Sequence, residues 1–482
     1  MDLGPRQSLE YLSPEIALGV AALAVWWLGR FDRLDRTGLG EIAILGAALS
    51  VFLAARLSGW GEVWLLERLF LVDGLAVFFK ILVGLAAVAV LWIWLESATV
   101  AREGEVCALV LSAAVALDLM ASAANLASAY LCVELASAAL WGLTHRAGPG
   151  DSRVRAARAV AAAVSLLMLG AACWLAGFAG SPDYERIHRA IFDLAPHSPF
   201  AVACAAMAIV IALPARLWIA TATRGAHVRA ALAAFAALAF AAGGLALCMR
   251  LLFAVLSSPG ADGGWMGPPG LDWRPPLTAA AVVAMTLGNL AGLRERSLPR
   301  LLAVCSIAQV GYALLGLAAA TRAGLEATLL YLAATAPASL GAFHASALIT
   351  RAAGREEIES CRGLLRVAGS SAGLALAVSL LSLSGLPPLA GFVGRRRLLG
   401  ALLERGFEGV AAIAAVNSVL SLCVYGRVLR SLCAPAPGAP VPRWRLYDAS
   451  FAGLLAAATV GLGVHPRPLL ELAARSVQWL PR

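Results

Sequence analysis

Lysine is almost absent from this chain: Lys80 stands alone, and every other one of its 38 basic residues is arginine. Charge of either sign is scarce, at 14% of residues against 61% hydrophobic, and the mean hydropathy is +0.81. A soluble globular domain is excluded by those values, and the bilayer is the solvent in which the chain has to be read. Nine cysteines are present, but no two form a CxxC pair. Most fall inside apolar runs (Cys107, Cys132, Cys173, Cys204, Cys248, Cys305). No iron–sulfur, zinc or other metal site is therefore expected. The loops leave no room for a soluble domain. The opening "MDLGPRQSLEYLSPEIALG" carries Asp2 and Glu10 and lacks a basic n-region, so it reads as a retained first helix and not as a cleaved signal.

What is there is a series of apolar runs. A helix needs roughly 20 apolar residues to cross the hydrocarbon, and on that measure the sequence predicts an all-α polytopic membrane protein of about fourteen spans. Their centres lie near residues 22, 48, 85, 113, 134, 168, 208, 240, 284, 310, 338, 376 (running on to about 404), 418 and 459. One transmembrane domain is expected over 1–482: helices 1–3 in 1–100, helices 4–8 in 105–255, helices 9–13 in 277–433 and helix 14 in 448–471. Arginines crowd the loops after odd-numbered spans, among them Arg30, Arg33 and Arg36; Arg146, Arg153 and Arg155; Arg294 and Arg296; Arg351 and Arg355; and Arg443 and Arg445. The positive-inside rule then puts both termini on the outer face. This placement accounts for the net charge of +9 without a nucleic-acid partner.

A charge at the centre of a span costs about 2.5–3.5 kcal/mol on insertion scales, so each one needs a reason. Glu134, in "ANLASAYLCVELASAALWGLT", is the clearest candidate for proton or ion transfer; the plainer reading pairs it with an arginine for packing. Lys80, in "VDGLAVFFKILVGLAA", lies one to two turns into its span, where snorkelling to the interface competes with function. Asp118 is ambiguous in the same way. His344, in "LGAFHASALI", suits a relay by its ordinary pKa, although a lone histidine in an apolar span is more often a packing element.

Two spans are broken by proline: "AIVIALPARLWIA" at Pro214 and "LSLSGLPPLAGFVGRRR" at Pro387-Pro388. Proline removes a backbone donor and frees a carbonyl, which is tolerated only where protein or water satisfies it. Broken spans at matching places in two halves point to an ion path at the membrane midplane. Here they are helices 7 and 12, five apart, which predicts two inverted five-helix repeats.

The segments "FLVDGLAVFFKIL", "LASAYLCVELAS", "GNLAGLRERSLPRLLAVCSIAQVGYALLGLAA", "YLAATAPASLGAF", "EEIESCRGLLR", "LSLSGLPPLAGFVGR" and "VNSVLSLCVYGRV" carry a resemblance along almost the whole chain. It resembles the antiporter-like membrane subunits of respiratory complex I, most closely the N type. The resemblance implies a place in a proton-translocating NADH:quinone oxidoreductase of the bacterial inner membrane, beside M-, K-, J- and A-type subunits. It implies no cofactor in this chain, with quinone, FMN and iron–sulfur clusters in partner subunits, and no redox chemistry of its own. It also implies a proton path of lysines, a glutamate and waters. Carried over position by position, the fifth-span glutamate is Glu134. The expected lysines of the seventh and eighth spans fall at Ile209 and Ala241. The expected histidines fall at Arg216 and Gln309, and the twelfth-span lysine at Arg395. Isoleucine and alanine carry no proton, and arginine keeps its charge at any working pH. The proton-path candidates are thus Glu134, Arg216, Gln309, His344 and Arg395, with the central relay largely replaced. Arg395 is expected to point inward, with Arg396 and Arg397 turned outward. Three alternatives stay open: a Mrp-type cation/proton antiporter subunit, a membrane-bound hydrogenase subunit, and a non-translocating structural or coupling module.

Overall fold

The computed structural model describes residues 5–31, 35–59, 61–96, 103–146, 152–193, 226–260, 264–268, 271–367, 370–435 and 445–478. It is built almost wholly of helices, as a chain that spans lipid has to be: a helix pairs its own backbone N–H and C=O groups where no water can. Among the described residues, eleven helices are long and apolar enough to cross a membrane, or up to twelve if each bent pair is one span. The remaining three of the fourteen expected spans are not counted among these for local reasons. The centre near 22 falls on α2 (Ser13–Arg30), an 18-residue helix that carries Glu15 and Arg30 and is not among the eleven. The centre near 208 lies outside the described residues, and with it the break at Pro214. The twelfth expected span is two short helices, α13 (Ser371–Ser384) and α14 (Ala390–Glu404).

The N-terminal layer packs α2 against α3 (Arg36–Arg56) and α5 (Glu103–Ser122), with α4 (Gly74–Glu96) behind them and α6 (Leu126–Arg146) beyond α5. A hairpin, β1 (Val63–Leu65) with β2 (Phe70–Val72), leads into α4. It is tied to the helix ends around it. The Leu69 carbonyl accepts from Ala124 N–H, and Arg68 reaches Glu185 at 2.9 Å on the short α8 (Tyr184–Asp193). Helix α9 is one continuous rod made of Ala226–Phe235, Ala236–Phe240, Ala241–Arg250 and Leu251–Val255, whose second and fourth segments are π-turns. Wide turns of this kind break the regular hydrogen-bond ladder and often mark functional positions.

The C-terminal layer is α10 (Arg274–Arg294), α11 (Leu298–Ala318), α12 (Arg322–Ala353), the broken pair, α15 (Glu408–Cys433), α16 (Leu446–Val464) and α17 (Arg467–Ser476). Helices α10 and α11 approach closely through Gly288 and Gly311. A Cβ at Gly311 would stand 2.7 Å from the Met285 nitrogen, and one at Gly288 would stand 2.7 Å from the Ala308 nitrogen. Small residues at crossings are what let helices associate in lipid, where burial of apolar surface drives little. Polar side chains add specificity. The Asn289 amide donates to Asn417 at 3.2 Å and Ser421 donates to Asn289 at 2.9 Å, which fixes α10 on α15.

Candidate functional site

The break between α13 and α14 is where polar groups gather. Helix α13 stops at Gly385, which takes φ of +81°, and the Leu386 N–H turns back to the Leu381 carbonyl at 3.2 Å. This is a left-handed C-cap, closed by the residue type best able to adopt it. The prolines then prevent the helix from resuming at once. The last carbonyls of α13 are left without helical partners, deep inside a membrane protein. Arg395, one turn into α14 and 4% exposed, folds back to supply them. Its Nη1 donates to the Ser384 carbonyl at 2.7 Å and its Nη2 donates to the Leu383 carbonyl.

The rest of the guanidinium's surroundings are neutral. Its Nη2 lies 3.5 Å from Gln309 Oε1, and its carbon sits 4.4 Å over the Tyr312 ring. Gln309 in turn accepts from the Tyr331 hydroxyl and donates to Tyr425 Oη at 3.4 Å, while Tyr312 donates to the Ala414 carbonyl at 3.1 Å. No carboxylate among the described residues lies within ion-pair distance of Arg395. The cation is held by carbonyls at the negative end of a helix and by an aromatic face. Arg396 and Arg397 are exposed and line a cavity of about 310 Å³ with Glu326 and Glu404.

The other candidates are dispersed. Glu134 is half-buried on α6, between the exposed Leu131 and Leu135. His344, fully buried on α12, places Nε2 3.3 Å from the Asp448 carbonyl and meets the Phe451 ring edge-on, with centroids 5.0 Å apart. Arg351 donates to Asp448 at 2.5 Å, so a charged pair stands beside the imidazole. Ala241 is buried and directly follows the first π-turn of α9. Arg216 and Ile209 lie outside the described residues. The structure therefore brings Gln309 and Arg395 together, while Glu134 and His344 stand on other helices.

Snorkelling by Lys80 is overturned. The side chain is fully buried, and its Nζ is 2.7 Å from Glu15 Oε1 on α2, itself 5% exposed. Asp118 on α5 is also fully buried. Residue-by-residue reading missed Glu15 because it stood in the first turn of its helix, near the span's end. It also missed Arg250, which donates to Asp73 Oδ1 at 2.8 Å, to Asp73 Oδ2 at 3.2 Å and to the Ala121 carbonyl at 2.6 Å. The signal was present as an arginine inside the run "LALCMRLLFAVL", where an intramembrane charge calls for a partner.

A family model described as NADH:quinone oxidoreductase/Mrp antiporter, TM, matches residues 123–421. Curated relatives named NADH-quinone oxidoreductase subunit N include one from Anaeromyxobacter sp. (strain Fw109-5), 29% identical over 98% of this chain and 97% of the relative. Another, from Chlorobium chlorochromatii (strain CaD3), is 32% identical over 85% of this chain and 82% of the relative. Among solved structures, a chain of respiratory complex I from Thermus thermophilus with bound aureothin superposes with a TM-score of 0.77 at 24% identity, covering 96% of this chain and 99% of that one. A chain of the Mrp complex from Dietzia sp. DQ12-45-1b reaches 0.79 at 20% identity, covering 98% and 97%. These superpositions establish the shared fold.

Proposed function

Because the chain belongs to the NADH:quinone oxidoreductase/Mrp antiporter transmembrane family, we propose that it is the N-type antiporter-like subunit of a complex I membrane arm. It contributes there to proton translocation driven by quinone reduction. The observation that carries this reading is the match to relatives of that name along nearly the whole chain. The fold alone separates complex I poorly from Mrp complexes, since both superpose about equally well. In this reading the chain sits in the bacterial inner membrane with both termini outside, against M-, K-, J- and A-type neighbours. Two inverted five-helix repeats frame its path, and quinone, FMN and iron–sulfur clusters belong to partner subunits.

Glu134, Arg216, Gln309, His344 and Arg395 are the proposed path residues, and their chemistries divide the work. Glu134 and His344 exchange protons. Arg395 does not: a guanidinium stays protonated and acts as a fixed charge at the break. Gln309 and its tyrosines order that charge through neutral hydrogen bonds. A coupling module that no longer translocates is the second reading, favoured by the methyl of Ala241 where the resemblance expects a lysine.

The deciding experiment purifies the complex that contains this chain, identifies its co-purifying subunits and measures protons moved per electron pair. Soluble flavin and iron–sulfur partners are expected, and Glu134→Gln is expected to assemble while lowering the ratio. Partners of a cation antiporter would overturn the complex I assignment. An unchanged ratio in an assembled Glu134→Gln complex would favour the coupling module.

A further inference from the structure

Three aspartates among the described residues are buried almost completely: Asp73, Asp118 and Asp448. Two of them are held by arginine, Asp73 by Arg250 and Asp448 by Arg351. Asp118 is different. It is fully buried on α5, four residues before the helix ends, and neither of its carboxyl oxygens has a hydrogen-bond partner among the described residues. Among the described residues, the charged groups within electrostatic reach are Glu15 on α2 and Lys80 on α4, and Lys80 Nζ is already 2.7 Å from Glu15.

The other helices packed on α5 do not change this balance. Helix α6 brings Cys132, buried and within reach of Glu15, and the half-buried Glu134. Helix α3 carries Glu41 and Arg56, both exposed, and α9 carries Arg250, engaged with Asp73. One ammonium is therefore shared by two carboxyls. With all three groups ionised, the cluster would bury a net negative charge without a counter-ion, which a membrane interior penalises. One bound proton makes it neutral.

We propose that Glu15, Lys80 and Asp118 form a buried proton-exchange site, with Asp118 the carboxyl that carries the proton at rest. In the exchange step the O–H bond on Asp118 breaks and one forms on Glu15. The Lys80 ammonium keeps its three protons and follows the ionised carboxylate from Glu15 to Asp118 on its flexible four-carbon stem. Both states are neutral overall, so the swap costs no net burial of charge. Glu15 lies in the first turn of α2, and Lys80 six residues past Gly74, about 9 Å along α4. The site thus sits toward the ends of these helices that meet the hairpin, and Glu15, 5% exposed, is the one of the three with any accessible surface. It is separate from the break at Arg395 and uses none of the proposed path residues.

The test reads the carboxyl itself, by infrared difference spectroscopy of the intact complex in vesicles grown with carboxyl-¹³C aspartate. Expected are a protonated-carboxyl band at neutral pH that shifts with the label and on transfer to D₂O, loss of that band in Asp118→Asn, and its persistence in Glu134→Gln. In Asp118→Glu the band should leave the aspartate label and appear with labelled glutamate, which keeps the test open should the asparagine variant fail to insert. Absence of a protonated aspartate band at neutral pH, or a band unchanged in both Asp118 variants, overturns the proposal. The readout does not depend on pumping or on which complex holds the chain, so its failure is distinct from failure of the functional reading above.

Discussion

At Lys80 the buried cation faces carboxyl groups; at Arg395 it faces carbonyl oxygens, an amide and a ring. The two regions lie in one chain at similar burial, and the choice of basic residue follows the partner. An ammonium on a flexible stem can move among acceptors, which suits a site with two competing carboxyls. A planar guanidinium presents several donors at fixed angles, which suits a pair of adjacent carbonyls at a helix end. Arginine at the break is thus more than compositional drift. It caps the end of α13 with a fork of donors, and the chain's one lysine stands where a mobile point charge faces carboxyl groups.

The largest effect should come from breaking a pair that resembles neither region fully, Arg250–Asp73. Arg250→Met leaves a buried carboxylate without its partner, at a cost of about 3–5 kcal/mol. Thermal unfolding in detergent should show it, with partial recovery in the double variant Arg250→Met, Asp73→Asn. Equal losses in the single and double variants would deny the coupling.

Next comes Arg395→Ala, which strands the Ser384 carbonyl, leaves the Leu383 carbonyl only the long bond from Gln309 at 3.5 Å, and should cost about 2–3 kcal/mol. Arg395→Lys should lose less, because an ammonium still reaches a carbonyl but gives up the second donor and the stacking on Tyr312. Folded yield in the membrane is the measure; a lysine variant as damaged as the alanine one would mean that ring stacking, not capping, holds the site.

Gly311→Ala tests packing in place of charge. The added methyl meets backbone at 2.7 Å, so α10 and α11 must part, at about 1–3 kcal/mol. Unchanged stability would show that the crossing has slack.

The smallest effect belongs to the surface. A hydrogen bond from Arg189, with the charges of Arg189 and Arg68 adding to it, holds the Glu185 carboxyl below its ordinary value of 4.5. A depressed carboxyl stabilises the fold above that ordinary value and loses its contribution as pH falls through the lowered one. Solvent screening limits the gain to a few tenths of a kcal/mol. Arg189→Ala should therefore leave stability at neutral pH nearly unchanged and slightly soften its fall in acid; a large loss at neutral pH would make this pair a true anchor of α8.

Sequence determined the solvent, the helical class and most of the helix positions, because apolar run length is set by bilayer thickness and needs no tertiary information. It also showed the break at Pro387-Pro388, since glycine and proline act through local backbone geometry. Arg395 was legible as an inward residue from the resemblance, but its partners were not, because Gln309, Tyr312, Leu383 and Ser384 come together only when α11 packs on the broken pair. The same holds for Glu15 and Lys80, 65 positions apart, and for Asp73 and Arg250. Whether a charge in a span snorkels or is buried depends on what the neighbouring helices bring to its depth, and that is decided by how α2, α4 and α5 pack, not by the residues beside it in the chain.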